Sequence, residues 1–278
     1  MIDIDKFIEQ QIDEYPAAQK GYSALKGVEV KQFNVDGVTV KVQFNPARAV
    51  SSGAKVDKAS ISARPCFLCN SNRDPRQKNI PWKDGRYEIL INPFPIFPRH
   101  LTIPDVGHQK QSITGRVGDM FDLAKELPEF TVFYNGPRCG ASAPDHMHFQ
   151  AGDSTFLPIW DWVEKGKSPM TLHVFDAVNA TEAQEKFDEI IKEFPVNEGD
   201  WEPMMNVLAK SHDDGVKFII IPRRRHRPSF YDAESENGMM ISPASVDLGG
   251  VFILPRETDF NRITSADLKK VFEEVTIQ

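Results

Sequence analysis

Asp145-His146-Met147-His148-Phe149-Gln150-Ala151 alternates polar and apolar residues. Successive side chains of a β-strand point to opposite faces. This spacing predicts a strand with His146, His148 and Gln150 on one face and Met147, Phe149 and Ala151 in the core. Two imidazoles and an amide in a row suit a site that holds a phosphate and attacks it. The competing reading is a half-exposed strand with two idle histidines.

Upstream, Thr131-Val-Phe-Tyr134 reads as a strand. Asn135-Gly-Pro-Arg-Cys-Gly-Ala-Ser142 reads as a tight loop of small residues leading into the histidine strand. Glycines there permit backbone N–H groups to approach a phosphate. Further upstream, Tyr87–Asn92 and His100–Pro104 read as antiparallel strands separated by a proline-marked turn. Ser112 to Leu127 has helical spacing and is stopped by Pro128. Val28 to Phe44 reads as a hairpin turning at Asp36-Gly37. Residues 3 to 14 predict a helix, Asn45 through Ser62 a surface loop, and Asn70 to Trp82 a loop.

Beyond residue 165, Thr181-Glu-Ala-Gln184 suggests a capping box. Helical propensity predicts a helix from Glu202 to Ser211. Val216–Ile221 and Gly249–Leu254 read as strands, and Thr264 or Ser265 caps a final helix. The order is that of an α+β protein with mostly antiparallel pairing. Apolar strand, proline, then Arg and His occur at Ile89 to His100 and again at Ile219 to Arg227. That echo points to an internal duplication, with halves at 1–165 and 166–278.

The 278 residues are 40% hydrophobic and 26% charged, ordinary for a globular chain. No apolar run approaches the ~18 residues of a membrane span, and Met1-Ile-Asp-Ile-Asp-Lys6 lacks a signal-peptide pattern. A net charge of −7 argues against nucleic-acid binding. An anionic ligand needs a local basic cluster, and Arg223, Arg224, Arg225, His226 and Arg227 supply one. Arg48, Arg73 and Arg99 are weaker candidates. Three cysteines, Cys66, Cys69 and Cys139, fit a reducing, cytoplasmic setting. Cys66-x-x-Cys69 is half of a tetrahedral zinc site, which His108 and His146 would complete. Inert thiols and a redox pair are its rivals. His148 is the candidate nucleophile: a neutral imidazole attacks phosphorus when its other nitrogen donates to an acceptor.

His146-Met-His148-Phe-Gln150 resembles the His-x-His-x-Gln motif of the transferase branch of the histidine triad (HIT-like) superfamily. That branch holds galactose-1-phosphate uridylyltransferase, diadenosine tetraphosphate phosphorylase and GDP-L-galactose phosphorylase. His100-Leu-Thr-Ile-Pro104 to His108, Cys66-x-x-Cys69 with Asn72, and Phe218 to Arg223 with Ser245 to Leu254 are similar to other parts of it. The resemblance implies a HIT-like fold and a nucleotidyl-histidine on His148, with His146 and Gln150 beside it. It implies phosphate contacts from the loop residues Asn135, Gly136, Gly140 and Ser142, although Ser142 lies one residue further from the motif than the branch's serine; Arg48, Arg223 and His226 are the basic residues expected to join them at the substrate. It implies a structural zinc on Cys66, Cys69, His108 and His146. The substrate would be a dinucleoside polyphosphate or nucleoside diphosphate sugar, the acceptor phosphate or a sugar phosphate, and the protein a monomer or homodimer. A nucleotide hydrolase and a non-catalytic nucleotide-binding module are the alternatives.

Overall fold

A computed structural model describes residues 3–49, 53, 57–235 and 237–277. Two helices lead. α1 (Ile4–Glu14) is capped by Asp3, whose carboxylate accepts from the Lys6 N–H. α2 (Pro16–Leu25) begins on proline, which is preset for a first helical turn. The hairpin β1 (Glu29–Val35) and β2 (Val38–Phe44) turns at Asp36 (φ 48°) and Gly37 (φ 84°). Two left-handed residues are what a two-residue hairpin needs. After the short helix α3 (Lys58–Ser62) come β3 (Asn79–Trp82), β4 (Tyr87–Ile91), β5 (His100–Pro104), helix α4 (Val117–Glu126), β6 (Phe130–Asn135) and β7 (His148–Asp153). The remainder is α5 (Ile159–Glu164), β8 (His173–Ala177), α6 (Ala180–Ile191), β9 (Met205–His212), β10 (Gly215–Pro222), α7 (Ser245–Leu248), β11 (Val251–Leu254), α8 (Glu257–Arg262) and α9 (Ser265–Val275). No helix of the described residues is long and apolar enough to cross a membrane.

Eight strands form one sheet in the order β3-β4-β5-β7-β6-β9-β10-β8, antiparallel at every pairing. A second sheet, β1-β2-β11, is antiparallel at its hairpin and parallel where β11 joins β2. The large sheet buries both faces. On one face Val132, Tyr134, Phe149, Ala151, Val207 and Phe218 pack with α1, α2, α4 and α6. On the other, Phe133, Leu208, Ile219 and Ile221 pack with the small sheet, α5 and α9. Both cores draw on residues from before and after residue 165, and the β6–β9 pairing joins the two stretches.

Several local expectations change. No helix forms between Glu202 and Ser211: residues 202–204 are irregular, and β9 runs from Met205 between β6 and β10, with Met205 through Ala209 all buried. A strand covered on both faces reads as a continuous apolar run, and Met, Leu and Ala bias that run towards helix. The helix expected from Ser112 starts at Val117, because Gly115 takes a left-handed φ of 69°. Asn79–Trp82, expected to be loop, pairs with β4 at the sheet edge. Asn45–Ser62 contains a 3-10 turn at Pro46–Arg48 and α3; residues 50–52 and 54–56 lie outside the described residues. The cap of α6 is Asn179, accepting from the Glu182 N–H, while the Glu182 carboxylate accepts from the Val178 N–H. The second proline-Arg-His stretch follows β10 into irregular chain, with no return strand like β5 among the described residues.

The strand of the motif begins at His148, two residues later than the alternation suggests. Met147, Phe149 and Ala151 do point into the helix-covered core. In the β5–β7 register Thr102 lies opposite Gln150 and His100 opposite Gly152. His148, Gln150, Thr102 and His100 therefore share the face towards the small sheet. Phe97 lies over Gly152 on that face: a Cβ there would sit 2.3 Å from the Phe97 ring. Gly152→Ala is therefore expected to overpack the face and lower unfolding free energy by ~1–3 kcal/mol. Urea denaturation reads this directly, and an unchanged midpoint would contradict the packing.

Candidate functional site

His148 opens β7 and is buried. Its Nδ1 lies 2.8 Å from the His146 carbonyl oxygen. A carbonyl only accepts, so Nδ1 carries the proton and Nε2 keeps its lone pair. Burial pushes the imidazole down to about 4, which keeps it neutral at physiological pH.

Gln150 follows on the same face. Its Oε1 accepts from His100 Nε2 at 3.1 Å and from Asn92 Nδ2 at 3.4 Å. His100 Nδ1 accepts from the Ile96 N–H at 3.2 Å, so its Nε2 carries the proton. Burial holds His100 neutral by lowering it to about 3. With its carbonyl anchored, Gln150 leaves its NH₂ available as a donor. Sequence reasoning assigned His100 and Asn92 no part in the site. The signal was the β5 register, which sets His100 diagonally across from Gln150.

The Asn135–Ser142 loop connects the motif to the second half of the chain. Asn135 Oδ1 accepts from Asn206 Nδ2 at 2.9 Å, the Ser245 N–H at 2.8 Å and Ser245 Oγ. A Cβ at Gly136 would lie 2.8 Å from the Met205 carbonyl oxygen, and one at Gly140 (φ 95°) 2.5 Å from the Ala244 Cβ. Both glycines therefore serve close packing of this loop against residues 205 and 244. Ser142 is half-buried in the same loop.

Arg223 corrects an expectation. Buried within the fold, it donates from Nε to Val275 O, from Nη1 to Asn206 Oδ1 and Pro243 O, and from Nη2 to Arg225 O and His226 O. A guanidinium has five N–H donors, so none is left for a phosphate. Arg224 and Arg225 turn to the last turn of α9. His226 and Arg227 meet at Ser242: Arg227 Nε donates to its Oγ at 2.9 Å, and His226 Nε2 lies 3.4 Å from it. Burial, with the charges of Arg227, Arg223 and Arg138, pushes His226 down to about 3. Arg48 Nη1 donates to Phe94 O at 2.7 Å, while its buried Nε has no partner among the described residues. Burial lowers Arg48 to about 10. Of the weaker candidates, Arg73 is paired with Glu88 and Arg99 with Asp153 and Glu129.

The four expected metal ligands converge. The ligand atoms of Cys66, Cys69, His108 and His146 all lie within 4.8 Å of one another. Cys66 Sγ is 3.3 Å and Cys69 Sγ 3.6 Å from His146 Nδ1, and Cys69 Sγ is 3.1 Å from His108 Nδ1. A zinc bound through sulfur at ~2.3 Å and nitrogen at ~2.0–2.1 Å has ligand–ligand edges of about 3.3–3.8 Å; the three edges above lie close to these, and drawing the whole set in from its 4.8 Å spread would make the Cys2His2 donors of a tetrahedral ion. His146 Nε2 donates to Asp105 O at 2.7 Å, turning the Nδ1 lone pair inward. Asn72 Nδ2 donates to Cys66 O at 2.9 Å, and Arg64 pairs with Asp145 at 2.9 Å. The His146 side chain thus joins the cysteines, and its carbonyl serves His148.

The family profile described as a domain of unknown function (DUF4922) matches residues 7–153. The profile described as GDPGP1-like, C-terminal domain matches residues 200–278. Diadenosine 5',5'''-P1,P4-tetraphosphate phosphorylase 2 of Saccharomyces cerevisiae is 27% identical over 203 residues, 66% of this chain and 60% of that protein. The chain matches less than two thirds of that relative's length. The crystal structure of yeast Ap4A phosphorylase superposes with a TM-score of 0.67 at 15% identity, covering 100% of this chain and 99% of that one. Its complex with Ap4A gives a TM-score of 0.67 at 18% identity, with 100% and 99% covered. These likenesses bear out the expected α+β, HIT-like fold.

One buried acid, Glu202, braces the site from the second half. Its carboxylate accepts from Tyr134 Oη, from the Ile113 N–H at 2.9 Å and from Ser112 Oγ at 3.1 Å. Burial outweighs these bonds and raises it to about 7. A carboxyl raised from 4.5 to about 7 contributes stability that is full below the unfolded value and lost as pH rises through the folded one. Glu202→Gln does not titrate. Its stability relative to the unsubstituted protein should therefore improve between pH 5 and 8.5, by at most on the order of 3 kcal/mol. Denaturation midpoints at the two pH values measure this; a constant difference would mean that Glu202 stays ionised throughout.

Proposed function

The chain belongs to the DUF4922 family, whose profile covers more than half of it, and from that premise we propose that it is a nucleotidyl-transferring phosphorylase of dinucleoside polyphosphates. The observation that carries this reading is the His148 Nδ1–H committed to the His146 carbonyl at 2.8 Å, which leaves a neutral Nε2 lone pair. Nε2 attacks the α-phosphorus, the P–N bond forms, and the P–O bond to the leaving polyphosphate breaks. The departing nucleotide carries the electron pair as a phosphate oxygen. Inorganic phosphate then attacks the same phosphorus, breaks the P–N bond and leaves as a nucleoside diphosphate, returning Nε2 to its neutral state. Covalent catalysis of this kind divides one hard displacement into two.

Gln150 donates its NH₂ to a non-bridging oxygen of the transferred phosphoryl group. Its carbonyl is anchored, so the donor is in place before charge develops. Arg48, with an unpartnered Nε, and Arg227 at Ser242 supply the positive charge for the polyphosphate, and the neutral His226 beside it can offer only a hydrogen bond. The similarity to the yeast phosphorylase supports this substrate class over a nucleoside diphosphate sugar.

Cys66, Cys69, His108 and His146 hold zinc in this reading. The ion would pin the loop beside the motif and fix the His146 rotamer, and it takes no part in the transfer. Protein purified without added chelator is expected to carry one zinc per chain. Chelation under denaturant-free conditions should lower Tm by several degrees, and His108→Ala should bind zinc more weakly. Metal-free protein with a Tm indifferent to zinc would refute the site.

Brief incubation with diadenosine tetraphosphate, phosphate withheld, should add one AMP to the intact mass of the protein. His148→Ala should show no gain, and phosphate should discharge the adduct as ADP. Gln150→Ala should keep KM within about 3-fold and lose ~10²-fold in kcat. Absence of both adduct and turnover with the unsubstituted protein would sink the proposal.

A further inference from the structure

Gln111 replaces a missing rung of the sheet at the nucleophile. The β6–β7 ladder pairs Phe130 with Asp153 and proceeds to Phe133 with Gln150, where it stops. Continued in register, it would set Tyr134 against Phe149 and Asn135 against His148. Instead the Gln111 amide lies between Asn135 and His148. Its Oε1 accepts from the His148 N–H at 2.8 Å, and its Nε2 donates to His148 O at 3.1 Å and to Asn135 O at 2.9 Å. The side chain is fully buried. A primary amide offers the same donor and acceptor as a peptide unit. It therefore satisfies both strand ends while holding them apart.

The backbone of Gln111 is held as firmly. Its N–H donates to Pro144 O at 3.2 Å, in the loop that enters the motif. Its carbonyl accepts from Trp201 Nε1 at 2.8 Å, a residue of the second half. The neighbouring Ser112 and Ile113 are tied to Glu202.

We propose that Gln111 is a positioning residue for His148, resting on the reading of His148 as nucleophile. By clamping the His148 peptide groups on both sides, it fixes the Cα from which the imidazole projects. That keeps Nδ1 aligned with the His146 carbonyl and the imidazole on the sheet face it shares with Gln150. A displacement on the order of 0.5 Å is enough to degrade such an alignment. Gln111 touches no reacting atom. Its effect is confined to the rate of transfer and leaves substrate affinity alone.

The test compares the unsubstituted protein, Gln111→Ala, and Trp201→Phe. The last removes the indole N–H to the Gln111 carbonyl while keeping an aromatic ring under Lys110 at an exposed position, and it keeps the proposal falsifiable if Gln111→Ala does not fold. Two readouts are used. One is the rate of AMP transfer to the protein from diadenosine tetraphosphate, with its KM. The other is the ligand-free ¹⁵N spectrum of the His148 imidazole, assigned by its loss in His148→Ala. Expected are a 10- to 100-fold slower transfer in Gln111→Ala, a few-fold slower transfer in Trp201→Phe, and KM within about 3-fold in both. The His148 signal should change from a single Nδ1–H form to a tautomer mixture in Gln111→Ala, and shift partway in Trp201→Phe. A purely structural role would lower Tm and leave both the rate of the folded protein and the tautomer unchanged, and that result would overturn the proposal. If the unsubstituted protein forms no adduct, the functional reading fails; the tautomer comparison then decides the role of Gln111 alone.

Discussion

The hydrogen bond from His148 Nδ1 to the His146 carbonyl is the contact on which the rest of the site depends. It spans two residues, so it exists only while the chain from 146 to 148 keeps one backbone conformation. The fold holds that conformation from three directions. The His146 side chain is drawn into the cysteine cluster, with its Nε2 on Asp105 O. The Met147 N–H donates to Gln109 O at 2.6 Å, and the Asp105 N–H donates to Met147 O at 2.9 Å. The Gln111 amide closes on His148 itself. A metal-type cluster and the proposed nucleophile can therefore share one residue without sharing an atom. The imidazole of His146 faces one way and its carbonyl the other.

The two halves of the chain meet through buried polar groups as well as through the sheet. Asn135, Asn206, Ser245 and Arg223 form a closed network at the ends of β6, β9 and β10 and the start of α7. Every donor of Arg223 is used there. Such a buried cation is tolerable because five oxygen acceptors surround it. A basic run that looks like an anion site in sequence is thus divided in space. Arg223 becomes a structural tie, and only His226 and Arg227 keep a place near Ser242.

Much of this architecture was legible in the residues. Period-two alternation gave the core side of the motif, because Phe149 and Ala151 had to face α4. The Cys-x-x-Cys spacing and two histidines gave a donor set that the chain does assemble, although the ligands come from separate segments. Three things were hidden for physical reasons. β9 is covered on both faces, so no alternation survives to distinguish it from a helix. His146 leaves the strand because its side chain is required elsewhere, which periodicity alone cannot express. Gln111 looks like one more polar residue in Gln109-Lys-Gln-Ser112; its role arises only from the register at which β6 and β7 part.

The small sheet has a consequence for the order of assembly. β11 joins β2 in parallel, pairing Val251 with Lys41 and Leu254 with Phe44. The β1–β2 hairpin is local, yet one of its edges and its apolar face wait for residues far downstream in the chain. Such long-range closure is slow, and an unpaired apolar edge is prone to pair with other chains meanwhile. Val35, Val38, Val40 and Val42 are all buried once closure is complete. A nascent chain stalled before β11 would thus expose a sticky valine edge, which makes β11 a quality-control checkpoint for the hairpin that precedes it by some two hundred residues.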